Sequence, residues 1–153
     1  MNDADAIRVH QGLAEMGFSP VSDPGEADLV VLISCVVRQS AEDKVVGRLT
    51  SLKHLKRSHP QTLIAVMGCF VDEKPALYAR FPYVDAFFKP SDLSGLFEFV
   101  RQRIPGTMGT AAQEIMPHAT AQPVCALVPI SYGCDHHCTY CIVRLRRGRQ
   151  QSR

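Results

Sequence analysis

The chain has 153 residues, 46% hydrophobic and 21% charged, the composition of one ordinary globular domain with room for part of another. No stretch approaches the roughly 18 consecutive apolar residues of a membrane span, and the opening Met1-Asn2-Asp3-Ala4-Asp5 has acids where a secretory signal has bases, so a cytoplasmic protein is expected. The net charge of +2 is uneven: without Arg144, Arg146, Arg147, Arg149 and Arg153 in the last ten positions, 12 bases stand against 15 acids.

In chain order, Ile7, Val9, Leu13, Ala14 and Met16 recur at helical spacing over Asp3–Met16, with Gly17 placed to end the helix. A short strand over Phe18–Val21 and a turn at Asp23-Pro24-Gly25 are expected next. Leu29-Val30-Val31-Leu32-Ile33 is a continuous β-branched run, the pattern of a parallel strand buried on both faces, and it ends in Ser34-Cys35. Ser40, three residues before Asp43, reads as the start of a helix that runs to His59 with Val45, Val46, Leu49, Leu52 and Leu55 on one face and Pro60 beyond it. Leu63–Met67 is a second buried strand ending in Gly68-Cys69, and a helix over Glu73–Arg80 follows. A third strand over Val84–Phe88 leads through Pro90-Ser91 into a helix with Leu93, Leu96, Phe97 and Val100 inward. This alternation predicts an α/β fold with a doubly wound, mostly parallel sheet over residues 1–104. The Pro, Gly, Ala and Thr of 105–123 read as a linker, and 124–153 as a strand over Val124–Tyr132 followed by a cysteine loop, too short for a core of its own.

Six cysteines without an export signal, four of them between Cys125 and Cys141, read better as metal ligands than as a disulfide framework. Cys35 and Cys69 each fall just past a buried parallel strand, at the sheet edge where α/β proteins bind ligands; ordinary buried cysteine is the competing account. Cys134-x-x-x-Cys138-x-x-Cys141 brings three thiols within eight residues. Three thiolates can hold a four-iron, four-sulfur (4Fe-4S) cluster with one iron left open, while His136 or His137 would complete a Cys₃His zinc set; a loop without metal is the third reading. The terminal arginines suit phosphate contacts, a solvated loop or acids within the protein.

The cysteine spacing, with Tyr140 before the last cysteine, resembles the signature of radical S-adenosylmethionine (SAM) enzymes. Ser131-Tyr132-Gly133-Cys134, Cys138-Thr139-Tyr140-Cys141-Ile142-Val143 and Arg147-Gly148-Arg149-Gln150-Gln151-Ser152-Arg153 resemble the methylthiotransferase family in particular. Ser34-Cys35-Val36-Val37-Arg38-Gln39 and Val66-Met67-Gly68-Cys69 are similar to its N-terminal domain, and Ser40-Ala41-Glu42-Asp43-Lys44-Val45 with Gly47-Arg48-Leu49 is closest to the branch acting on adenosine beside the tRNA anticodon. The resemblance implies that Cys134, Cys138 and Cys141 ligate a 4Fe-4S cluster that binds and cleaves SAM. It also implies that Cys35 and Cys69 belong to an auxiliary 4Fe-4S cluster that delivers sulfur to C2 of an isopentenyl-modified adenosine. The implied partners are the tRNA anticodon stem-loop and an electron donor such as flavodoxin or ferredoxin, with the enzyme a monomer.

The chain departs from the family in four places. The third auxiliary cysteine of the family would lie just upstream of Met1, with Cys125 matching no family ligand; and the radical SAM partial barrel of roughly 200 further residues, whose first strand and cysteine loop 124–153 would be, is expected beyond Arg153. A truncated chain, inactive by itself, is the expectation. Arg144 stands where the family has proline, and Gln150 where it has glutamate. A zinc-stapled α/β module that binds RNA without catalysis is the alternative, and an interaction domain with incidental thiols a third option.

Overall fold

The computed structural model describes residues 2–35, 38–71, 75–105, 128 and 130–152. Cys125, Arg153, residues 106–123 of the expected linker, and Glu73 and Lys74 of the expected third helix lie outside them. Three parallel strands, β1 (Leu29–Ser34), β2 (Leu63–Gly68) and β3 (Ala86–Phe88), form a sheet in the order β1-β2-β3. The described strands run in one direction across the sheet and contain no reversal of strand order, so they show the parallel α/β part of the expected fold and not its double winding.

Helices cover both faces. Helix α2 (Gln39–Ser58) and α3 (Pro75–Arg80) lie on one side, where Val45, Leu49 and Leu52 pack with Ile64 and Val66 of β2 and with Phe70, Phe81 and Val84. Helix α1 (Asn2–Glu15) and α4 (Leu93–Arg103) lie on the other, where Val9 and Met16 meet Ala65 and Met67 of β2 and Leu96 and Val100 of α4. Alternate residues of β2 thus feed opposite cores, as the period of two in a strand requires. Of the apolar residues whose spacing predicted α1, Ile7 points outward at 48% exposure.

The central strand is the one buried on both faces. In β1 only Ser34 is buried and the apolar run is half-buried, because β1 has one neighbouring strand among the described residues. Phe18–Val21 is not a strand; Pro20 offers no ladder N–H, and the first backbone link to β2 is Leu63 N–H donating to Asp28 O at 2.8 Å. Helix α2 starts one residue before Ser40, with no side-chain cap, and Gln39 donates to Asp43 at 3.1 Å. Val84 precedes β3 and closes a turn onto Phe81 O instead of joining the strand.

The N-terminal ends of β2 and β3 are tied by polar side chains. Lys56 at the end of α2 donates to both Asp85 carboxylate oxygens, at 3.0 and 2.8 Å, and to Thr62 O at 2.8 Å, while Asp85 also accepts from Ile64 N–H at 2.8 Å. No helix among the described residues is long and apolar enough to cross a membrane.

Candidate functional site

The opposite edge of the sheet carries the chemistry-bearing residues. Ser34 ends β1, Gly68 ends β2, and the two are register partners; Cys35 and Cys69 are the next residue on each strand. Neighbouring strands are about 4.8 Å apart, so the two cysteines leave the sheet side by side. Ser34 holds this corner together: its hydroxyl donates to Met67 O at 2.8 Å and accepts from Phe70 N–H at 3.2 Å, and its carbonyl accepts from Cys69 N–H at 3.3 Å. Gly68 sits at φ +117°, and a Cβ there would overlap Ser34 O and approach Ser34 Oγ at 2.9 Å. Only glycine allows the two strand ends to close this tightly. Cys69 is buried and Cys35 half-buried, and both are free thiols.

The second cysteine set sits on a loop closed at its base. Strand β4 (Ser131–Tyr132) pairs antiparallel with β5 (Gln151–Ser152), with Tyr132 opposite Gln151. Of the expected strand over Val124–Tyr132, Ser131 and Tyr132 are strand, while Val128 and Ile130 are exposed and outside it; 124–127 and 129 lie outside the described residues. Gly133, at φ +71°, lets the chain pass against Arg149 O, where any Cβ would collide. Cys134 N–H then donates to Gly148 O at 3.2 Å, and Gln150 N–H to the Asp135 carboxylate at 3.2 Å. Gln150 therefore holds the loop through its backbone, a bond that glutamate at the same place would keep. A turn in which Cys141 N–H donates to Cys138 O at 3.2 Å leads into α5 (Val143–Arg147).

Cys134 is half-buried, Cys138 and Cys141 are exposed, and all three are free. Among the described residues no three Cys, His, Asp or Glu side chains converge on one point at metal-ligand distance. In kind, the donor set fits an iron-sulfur cluster: soft sulfur donors, uncommitted to disulfides, on a loop whose ends are fixed and whose middle faces outward. Exposed His136 and His137 immediately precede the second thiol.

The structure also places residues that sequence reasoning passed over. Asp5 and Arg8 of α1 reach the base of the cysteine loop: Arg8 Nη1 donates to the Tyr132 hydroxyl at 2.6 Å, its guanidinium carbon lies 5.9 Å from that ring's centroid, and Asp5 Oδ2 stands 3.8 Å from Arg147 Nη1. Ser91 donates to Asp5 Oδ1 at 3.2 Å. A cleft of about 440 Å³ runs between Arg8, Tyr132 and Arg147 and the β3–α4 connection at Lys89–Asp92. Of the terminal arginines, Arg147 thus has an acid within the chain as its partner, and Arg144 Nη1 is buried without a hydrogen-bond acceptor among the described residues. The available signal was Asp5 itself, a carboxylate one turn before Val9 on the apolar side of α1.

Two comparisons bear on this arrangement. The profile of the uncharacterized protein family UPF0004 matches residues 1–89. Curated proteins named tRNA-2-methylthio-N(6)-dimethylallyladenosine synthase are similar along the whole chain: 36% identical over 157 residues in Roseiflexus sp., 37% over 157 in Chloroflexus aurantiacus and 40% over 154 in Dehalococcoides mccartyi. The alignments take in 32%, 33% and 34% of those proteins, so the chain spans about a third of the length of the curated relatives it matches.

Proposed function

The chain belongs to protein family UPF0004, and from that premise we propose that it is part of a tRNA methylthiotransferase that adds a methylthio group to C2 of isopentenyl-modified adenosine beside the anticodon. The observation that carries this is the similarity, along the whole of this chain, to synthases of that name, joined to five thiols among the described residues that are not tied up in disulfides. Residues 1–104 are the sheet domain, 105–123 the linker and 124–153 the start of the SAM-binding part.

Cys134, Cys138 and Cys141 would hold the SAM-binding 4Fe-4S cluster, and Cys35 and Cys69 would serve an auxiliary 4Fe-4S cluster whose third ligand is not among them. When bound, such centres supply the electron that cleaves SAM and the sulfur that is transferred. This chain's own contribution is placement. Ser34 and Gly68 fix Cys35 beside Cys69, and the β4–β5 ladder with Gly133 fixes where the cysteine loop begins and ends. The substrate is the tRNA anticodon stem-loop, the electron donor a flavodoxin or ferredoxin, the compartment the cytoplasm and the working form a monomer.

Anaerobic reconstitution with iron and sulfide, read by iron content and electron paramagnetic resonance, tests the ligand assignment. Cys138→Ala is expected to abolish the loop cluster, and Cys69→Ala to leave it intact. Full iron loading in Cys138→Ala, or stoichiometric zinc that resists iron in the purified chain, would overturn the assignment in favour of a zinc-stapled RNA-binding module.

A further inference from the structure

We infer that Asp5 and Arg8 of α1, with Ser91, are positioning residues that latch the cysteine loop onto the carboxyl edge of the sheet through Arg147 and Tyr132. The β3–α4 connection that carries Ser91 leaves the sheet at the same edge as Cys35 and Cys69, so the latch joins the loop to the edge from which those thiols emerge. Three observations converge on the latch.

The first is burial: the Asp5 and Arg147 side chains are 6% and 7% exposed, a charge pair taken almost wholly out of water across the junction of two segments. Removing one member would leave the other's buried charge with less to offset it, which makes such a pair strongly dependent on its geometry. The second is strain. Ser91 is the one non-glycine residue with positive φ among the described residues, at +64°, and the hydroxyl of this residue donates to Asp5. A backbone held in that region persists where the surroundings over-determine it, and here they include the carboxylate at the centre of the latch. The third is the Arg8 contact, a 2.6 Å bond to the Tyr132 hydroxyl from a residue 124 positions away, at the strand that opens the cysteine loop.

The latch depends on the proposed function only for its purpose, which is to hold one thiol set relative to the other. Its test is therefore made on the whole 153-residue chain, reduced and metal-free, by ¹⁵N relaxation of backbone amides. In the unaltered protein, residues 131–152 are expected to tumble with the sheet. Arg147→Asp is expected to shorten the apparent correlation time of those residues about twofold or more, with the amide spectrum of the sheet unchanged. The pair Asp5→Arg with Arg147→Asp is expected to restore common tumbling, a rescue that loss of packing alone does not predict, and Tyr132→Phe, which removes only the hydroxyl bond, to give an intermediate loss. Common tumbling in Arg147→Asp, or independent tumbling already in the unaltered chain, would overturn the latch. Neither result touches the cluster assignment, which reconstitution decides separately.

Discussion

Gly68 governs the candidate site without a functional group of its own. Its φ of +117° turns the chain out of β2, and its missing Cβ leaves room for the Ser34 carbonyl and hydroxyl that bind Cys69 and Phe70. Gly68→Ala adds both a strained backbone and a clash with a neighbouring strand, and is expected to cost about 2 kcal/mol or more in urea denaturation. Tyr83 offers a second single-residue test. Burial raises its phenol above the ordinary value, an effect that Arg80 partly offsets, and its hydroxyl donates to Leu49 O at 2.8 Å. Below about pH 10 the phenol is protonated in both the folded and the unfolded chain; as pH rises further the unfolded phenol ionises first, and stability falls until the raised folded value is passed. Tyr83→Phe should lose about 1 kcal/mol near neutral pH. It should also show a shallower decline in the urea midpoint above about pH 10 than the unaltered chain.

At the scale of elements, the two ends of the sheet differ in kind. The N-terminal ends of β2 and β3 are stitched by Lys56, Thr62 and Asp85 around one carboxylate that also caps the Ile64 N–H. Asp85→Ala strands the lysine and that amide together. Because the pair is about a fifth exposed, the expected loss is nearer 2–3 kcal/mol than that of a fully buried pair, measurable by urea titration, with the thiol sites unaffected. The elements that sequence located best were those with a core on their pattern: β2, which buries both faces, and α4, whose Leu96 and Val100 are fully buried. Where the reading failed, a local signal had no tertiary partner. Val84, apolar enough for a strand, was taken by the Phe81 cluster; Phe18–Val21 had no strand beside it; and Ser40 had the chemistry of a cap but lay one residue inside the helix.

For the molecule as a whole, the positions of Cys35 and Cys69 were legible because a buried run tells where a parallel strand ends, and the register then sets Ser34 against Gly68. The relation between the sheet and the cysteine loop was not, since it rests on single polar side chains in segments far apart in sequence, and no periodicity marks such a meeting. The separation of Arg8 from Tyr132 has a consequence for how the protein is made. Chain synthesis at some 5–20 residues per second puts on the order of ten seconds between the emergence of the two, ample time for the local β-α-β contacts to close first. The nascent cysteine loop therefore meets a sheet already built, and its docking is a long-range closure that follows those of the sheet, slow for reasons of chain entropy and not of chemistry. A substitution in the latch should accordingly leave the refolding rate of the sheet unchanged and speed only the release of the loop.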